Sequence, residues 1–100
     1  MNAIKRQEIA IIELINSGEK AAVTAFSKLT ERFSDDDRMN STNHSEIIRI
    51  IYVVCDNTFV KQIAKNLNLS ESTFHRLRRL YVKWFHYYRN KILQEMNPAA

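Results

Sequence analysis

Residues 63–77 read IAKNLNLSESTFHRL, and two more basic residues follow, Arg78 and Arg79. The pattern predicts a short apolar helix closing at Leu67, a three-residue turn, and a second helix opening at Ser70. Two helices that cross steeply at so short a turn need an apolar face with a small residue at their closest approach. Val60, Ile63, Ala64 and Leu67 supply the face, and Ala64 is the small residue. The turn needs one residue in the left-handed region, which Asn enters more readily than most non-glycine residues, so Asn68 fits. Leu67 and Leu69 flank it and plug the corner. Ser70 is a natural N-cap, and Phe74 and Leu77 lie at offsets that turn both inward. Cap, turn and core agree in register, which carries more weight than any one residue.

With Phe74 and Leu77 inward, helical periodicity turns Glu71, Ser72, His75, Arg76 and Arg79 outward. An outward face of this kind suits the major groove of duplex DNA, with its N-terminal residues nearest the base edges. Arg76 and Arg79 can each fork onto a guanine. Ser70, Ser72, Thr73 and His75 are candidates for contacts to bases or phosphates. Glu71 repels phosphate but can accept from a cytosine amino group, and it equally suits the positive end of its own helix. Lys61, Lys65 and Lys83 are placed as phosphate clamps. The expected reading helix spans about 71–83.

Segment 46–90, and above all VKQIAKNLNLSESTFHRLRRLYVKWF, resembles the helix-turn-helix of region four of bacterial sigma factors. Within that superfamily it is most similar to small phage transcriptional regulators of the ArpU and RinA type. The shared pattern is Ile63, Ala64, Leu67, Ser70, Thr73 and Arg76, followed by a long final helix. The resemblance implies promoter DNA binding by the last helix, and a sigma-like activator can touch RNA polymerase as well as DNA. Asn68 departs from the glycine usual at the turn, and residues 1–40 lie outside the resemblance.

The remaining sequence fits an all-α fold of five helices in a single domain. One Gly and one Pro in 100 residues are few for a chain of many turns. A first helix over about 3–16 carries Ile4, Ile11, Ile12 and Ile15 on one face and stops at Gly18. A second, about 19–33, shows a stripe of Ala22, Phe26, Leu29 and Phe33. These form an N-terminal hairpin over 1–33. Residues 34–45, SDDDRMNSTNHS, lack apolar periodicity and read as a solvated loop. Asn43 and Glu46 have capping-box spacing. The apolar run IIRIIYVVC then predicts an almost enclosed third helix, with Cys55 as a small buried hydrophobe. Asp56, Asn57 and Thr58 predict a break and a new cap, and Asn97 and Pro98 the end of the fold. The helix-turn-helix region so bounded is 46–95.

The last helix continues well past 83 with Phe74, Leu77, Tyr81, Trp84 and Tyr88 at a 3-4-3-4 rhythm extended by Ile92. Leu80, Phe85 and Tyr87 widen that surface. A 100-residue fold can hardly enclose so many aromatics on one helix. The plain expectation is that this face packs on the first three helices; the sharper one is that part of it stays open, which makes Tyr81, Trp84, Phe85 and Tyr88 candidates for a homodimer or partner-protein interface. A protein adaptor, binding RNA polymerase or another regulator through this face, is the alternative to a DNA-binding regulator.

Charge favours the first reading. Residues 1–50 carry seven Lys/Arg against eight Asp/Glu, whereas 51–100 carry eight against three, so the basic excess sits with the helix-turn-helix. Such asymmetry points to a polyanion. No apolar window is long enough for a membrane span. The acidic interruptions Glu8 and Glu13 argue against a signal peptide, and the lone Cys55 fits a reducing cytoplasm. His44, His75 and His86 lack metal-ligand spacing, and no phosphate-cradling glycine loop occurs. No enzyme, metal or cofactor is expected.

Overall fold

The computed structural model describes residues 3–55 and 60–96, and within them the chain forms five helices and no strand. Helix α1 is Ala3–Asn16, α2 is Lys20–Asn40, and α3 begins as His44–Ile48 and continues as a π-helical segment, Arg49–Val54. Helix α4 is Val60–Asn66 and α5 is Glu71–Met96. No helix among the described residues is long and apolar enough to cross a membrane. The predicted break at 56–58 and the predicted end at 97–98 lie outside the described residues.

Gly18 closes α1 with a φ of 81°, the left-handed conformation its position requires. The chain reverses there, and α2 runs antiparallel along α5: Glu19 pairs with Arg89, Arg32 lies on Trp84, and Phe33 packs edge-on against Tyr81. The α2 stripe is buried at Ala22, Leu29 and Phe33, with Ala25 added and Phe26 half-buried. Small residues at 21, 22 and 25 let the neighbouring helices approach closely. Helix α1 seals the same core with Ile11, while Ile4, Ile12 and Ile15 pack at its margin.

Three expectations are corrected. First, α2 does not end at Phe33: it runs on to Asn40, and only residues 41–43 separate it from α3. The three aspartates that looked like loop residues each have a partner. Asp35 pairs with Arg38, Asp36 accepts from Asn40, and Asp37 reaches forward to the start of α3. Charge and hydrogen bonding at i, i+3 and i, i+4 support a helix that apolar periodicity does not reveal.

Second, Asn43 makes no side-chain cap bond. The cap of α3 is Asp37, whose Oδ1 accepts from the His44 N–H at 2.8 Å and whose Oδ2 accepts from the Ser45 N–H at 2.9 Å. Glu46 pairs instead with Arg49.

Third, the apolar run of α3 is only partly enclosed. Ile47, Ile48 and Tyr52 are buried, but Val53 and Val54 are exposed, and so is Cys55. A π turn takes one residue more than an α turn. The phase therefore slips across 49–54, and the end of the run rotates out of the core. Cys55 ends the segment in the left-handed region with a φ of 56°.

Burial pushes the Asp37 carboxyl up, but the hydrogen bonds from Thr42, Ser45 and His44 together outweigh it and hold the group below its ordinary value of 3.8. A lowered folded-state pKa stabilises the fold above the unfolded value, and that stability is lost as pH falls through the folded one. Asp37→Asn should therefore cost about 1–2 kcal/mol at neutral pH in urea denaturation. The gap to the wild type should narrow below about pH 4. A gap independent of pH would mean that the charge of Asp37 is not what caps α3.

Candidate nucleic-acid interface

The turn between α4 and α5 is built as the residues require. Asn68 has a φ of 58°, and its N–H donates to Lys65 O while the Leu69 N–H reaches back to Ala64 O at 2.9 Å. These bonds satisfy the carbonyls at the end of α4 in the manner of a left-handed helix stop. Ser70 caps α5, its Oγ accepting from the Thr73 N–H at 3.1 Å. Ala64 is buried where the helices meet, and Phe74 and Leu77 turn into the core beside Ile63.

The outer face of α5 follows. Glu71, Ser72, Arg76, Arg79 and Lys83 are exposed, while Thr73 and His75 are half-buried at its edges. Lys61 and Lys65 are exposed on α4, next to the same corner. Ser70 is exposed too, although its hydroxyl is occupied by the cap and by Thr73 and Ser72. Among the described residues, Arg76, Arg79, Lys61, Lys65 and Lys83 pair with no carboxylate, whereas Arg38, Arg49, Arg78 and Arg89 all do. From Arg76 to Lys83 the helix rises about 10 Å. The corner thus offers a short stripe of solvated cations on one helix face, with Glu71 the acidic residue beside it among the described residues.

Arg78 is different, and the sequence gives little warning of it. It points inward and is buried, with Nε donating to Glu8 Oε2 at 2.9 Å and Nη2 to Glu8 Oε1 at 2.5 Å. The two-pronged pair ties α5 to α1 across 70 residues of sequence. Its signal in the sequence is faint but present. Glu8 falls four residues after Ile4 and three before Ile11, on the apolar face of α1, and Arg78 falls four after Phe74. Arg78 Nη1 and the Tyr52 hydroxyl are buried with no hydrogen-bond partner among the described residues. Burial, with the Glu8 carboxylate second, pushes the Tyr52 phenol far above its ordinary range.

A second polar link joins residues too distant in sequence for any local pattern to announce it. His44, at the start of α3, joins Tyr81 of α5 through Nδ1 at 2.6 Å and Asp36 of α2 through Nε2 at 3.1 Å. Burial, then the carboxylates of Asp37 and Asp36, pushes the Tyr81 phenol well above its ordinary range, so it keeps its proton. In the neutral imidazole the Asp36 carboxylate requires the proton on Nε2, and Nδ1 then accepts from Tyr81.

The proposed interface of Tyr81, Trp84, Phe85 and Tyr88 is split by the fold. Tyr81 and Phe85 are wholly buried under α2 and cannot meet a partner. The 3-4-3-4 rhythm marked the core for Tyr81, and Phe85 lies on the same side. Trp84 and Tyr88 remain half-exposed. They line a groove of about 740 Å³ between α2 and α5, with Arg32 stacked 3.7 Å from the Trp84 ring centroid.

Residues 3–86 match the family described as "Protein of unknown function (DUF1492)", and the chain belongs to that family. No curated protein and no solved structure matches the chain.

Removing one half of the buried pair tests whether it carries the α1–α5 contact. Glu8→Gln leaves the Arg78 charge buried without its counterion and should cost about 3–5 kcal/mol in urea denaturation. The paired replacement Glu8→Leu/Arg78→Met removes both charges and should cost clearly less than the single change. A double variant at least as unstable as Glu8→Gln would show that packing, not charge, is what the site requires.

Proposed function

We propose that this protein is a sequence-specific DNA-binding regulator whose α5 enters the major groove through its first three turns. The observation that carries the reading is the rotational phase of α5. Arg78 turns inward, while Arg76, Arg79 and Ser72 turn out together beside a capped, left-handed turn of the length a DNA-reading corner has. In this reading Arg76 and Arg79 donate to base edges, with guanine N7 and O6 the natural acceptors. Ser72 and His75 flank them. Lys61, Lys65 and Lys83 meet phosphates and set the register without reading sequence. Glu71 selects cytosine or only steadies the helix start. The basic excess of the C-terminal half and the unpaired cations of the corner support the same assignment. The resemblance to region four of sigma factors points the same way and suggests promoter DNA as the target.

Selection from a library of random duplexes should enrich a short motif. Affinity for it should fall steeply with salt, because phosphate contacts release counterions. Arg76→Glu/Arg79→Glu should weaken binding by at least about 100-fold, with circular dichroism unchanged. Lys83→Ala should weaken all duplexes alike and flatten the salt slope by about one unit. No enriched motif, or an arginine double variant that binds as the wild type does, would overturn the proposal.

A further inference from the structure

The groove between α2 and α5 is bordered by a stripe of α2 that runs Lys28, Glu31, Arg32, Asp35, Met39. These positions share one helical face by spacings of three and four, and all are exposed. Met39 is 83% exposed, and the groove floor adds Leu80, Trp84 and Tyr88. An apolar floor beside a protruding methionine is a contact surface in need of a partner.

The charges say which partner. A polyanion seated here would meet Glu31, Asp35 and Asp36, and a cationic segment would meet Lys28 and Arg32. A twofold axis crossing α2 midway between residues 31 and 32 sets each residue i opposite residue 63 − i of a second copy. Lys28 then faces Asp35, and Glu31 faces Arg32, so the charged residues of the stripe all face an opposite sign. Met39 falls opposite Thr24, one turn from Lys28. Because α2 and α5 are antiparallel, that is the end of the groove where Tyr88 lies, within reach of a thioether–aromatic contact.

The groups concerned are free to make these contacts. Arg38 takes Oδ1 of Asp35, leaving the other oxygen without a partner among the described residues. Arg32 sits over Trp84 with its guanidinium carbon 3.7 Å from the ring centroid, and no carboxylate among the described residues pairs with it. A surface self-complementary about a twofold axis is what an isologous dimer requires.

We propose that the α2–α5 groove is a homodimer interface, in which α2 pairs antiparallel with α2 of a second copy and Met39 of each seats in the other's groove. The proposal stands apart from the DNA-binding reading. If both hold, the dimer presents two reading helices related by a twofold axis, as a two-half-site operator demands.

Sedimentation velocity over the micromolar range tests it. The wild type should be in monomer–dimer equilibrium, with Trp84, the sole tryptophan, reporting association by its emission. Lys28→Glu and Asp35→Lys each create like-charge contacts twice per dimer and should weaken association by at least about tenfold. The double variant Lys28→Glu/Asp35→Lys restores opposite charges and should recover dimerisation. Circular dichroism checks that the variants fold, and duplex binding by the variants is measured separately, so loss of one property is not mistaken for loss of the other. A monomeric wild type, single variants that dimerise normally, or a double variant without recovery would each overturn the proposal.

Discussion

The ion pair between Glu8 and Arg78 fixes how α5 is turned about its own axis. Residues 76, 78 and 79 are all arginines, and helical periodicity sets Arg76 and Arg79 on one side, i and i+3, with Arg78 on another. Only one side can face inward. A carboxylate waiting on the apolar side of α1 selects Arg78, and Arg76 and Arg79 are then carried to the opposite surface. Burying two charges is expensive, and a hydrophobic pair of the same shape would often be as stable. What the pair adds is specificity: a slip of α5 that brought Leu77 into the place of Arg78 would leave Glu8 facing an apolar side chain. The N-terminal helix thereby sets the orientation of a surface 70 residues away.

The second half of that orientation comes from α2. Its last turns hold three aspartates, and Asp37 caps α3 while Asp36 holds His44 against the hydroxyl of Tyr81. Tyr81 is wholly buried one helical turn after Arg78. Two polar anchors, one to α1 and one to the α2–α3 junction, therefore grip α5 near its middle. Toward its N-terminus Phe74, Leu77 and Ile63 close the corner. The exposed stripe from Ser72 to Lys83 rests on a helix held in rotation and in height, which is what a rigid recognition surface needs.

The corner itself was legible because its constraints are local. A left-handed residue, a cap three residues ahead of its N–H donor and an apolar pair at fixed offsets all lie within 15 residues, and Asn68, Ser70, Phe74 and Leu77 behave as their types dictate. Local chemistry also predicted the Gly18 stop and the apolar stripe of α2. What stayed hidden depends on partners distant in sequence. Asp35, Asp36 and Asp37 read as a loop because their helix is supported by polar pairing, which leaves no apolar period. Arg78 read as one basic residue among several because its counterion lies on another helix. Val53, Val54 and Cys55 read as buried because a π turn cannot be seen in a pattern analysed at 3.6 residues per turn. For the same reason Tyr81 and Phe85 could not be separated from Trp84 and Tyr88 until the course of α2 was known.

In the proposed function the phase of α5 presents Ser72, Arg76 and Arg79 to duplex DNA. Amide chemical shifts of the ¹⁵N-labelled full chain, followed through titration with the selected duplex, test it most directly. The largest changes should fall within residues 70–83 and at Lys61 and Lys65, with the exposed face of α1 unmoved. Changes centred instead on the groove around Trp84 and Tyr88, or none at saturating duplex, would contradict it.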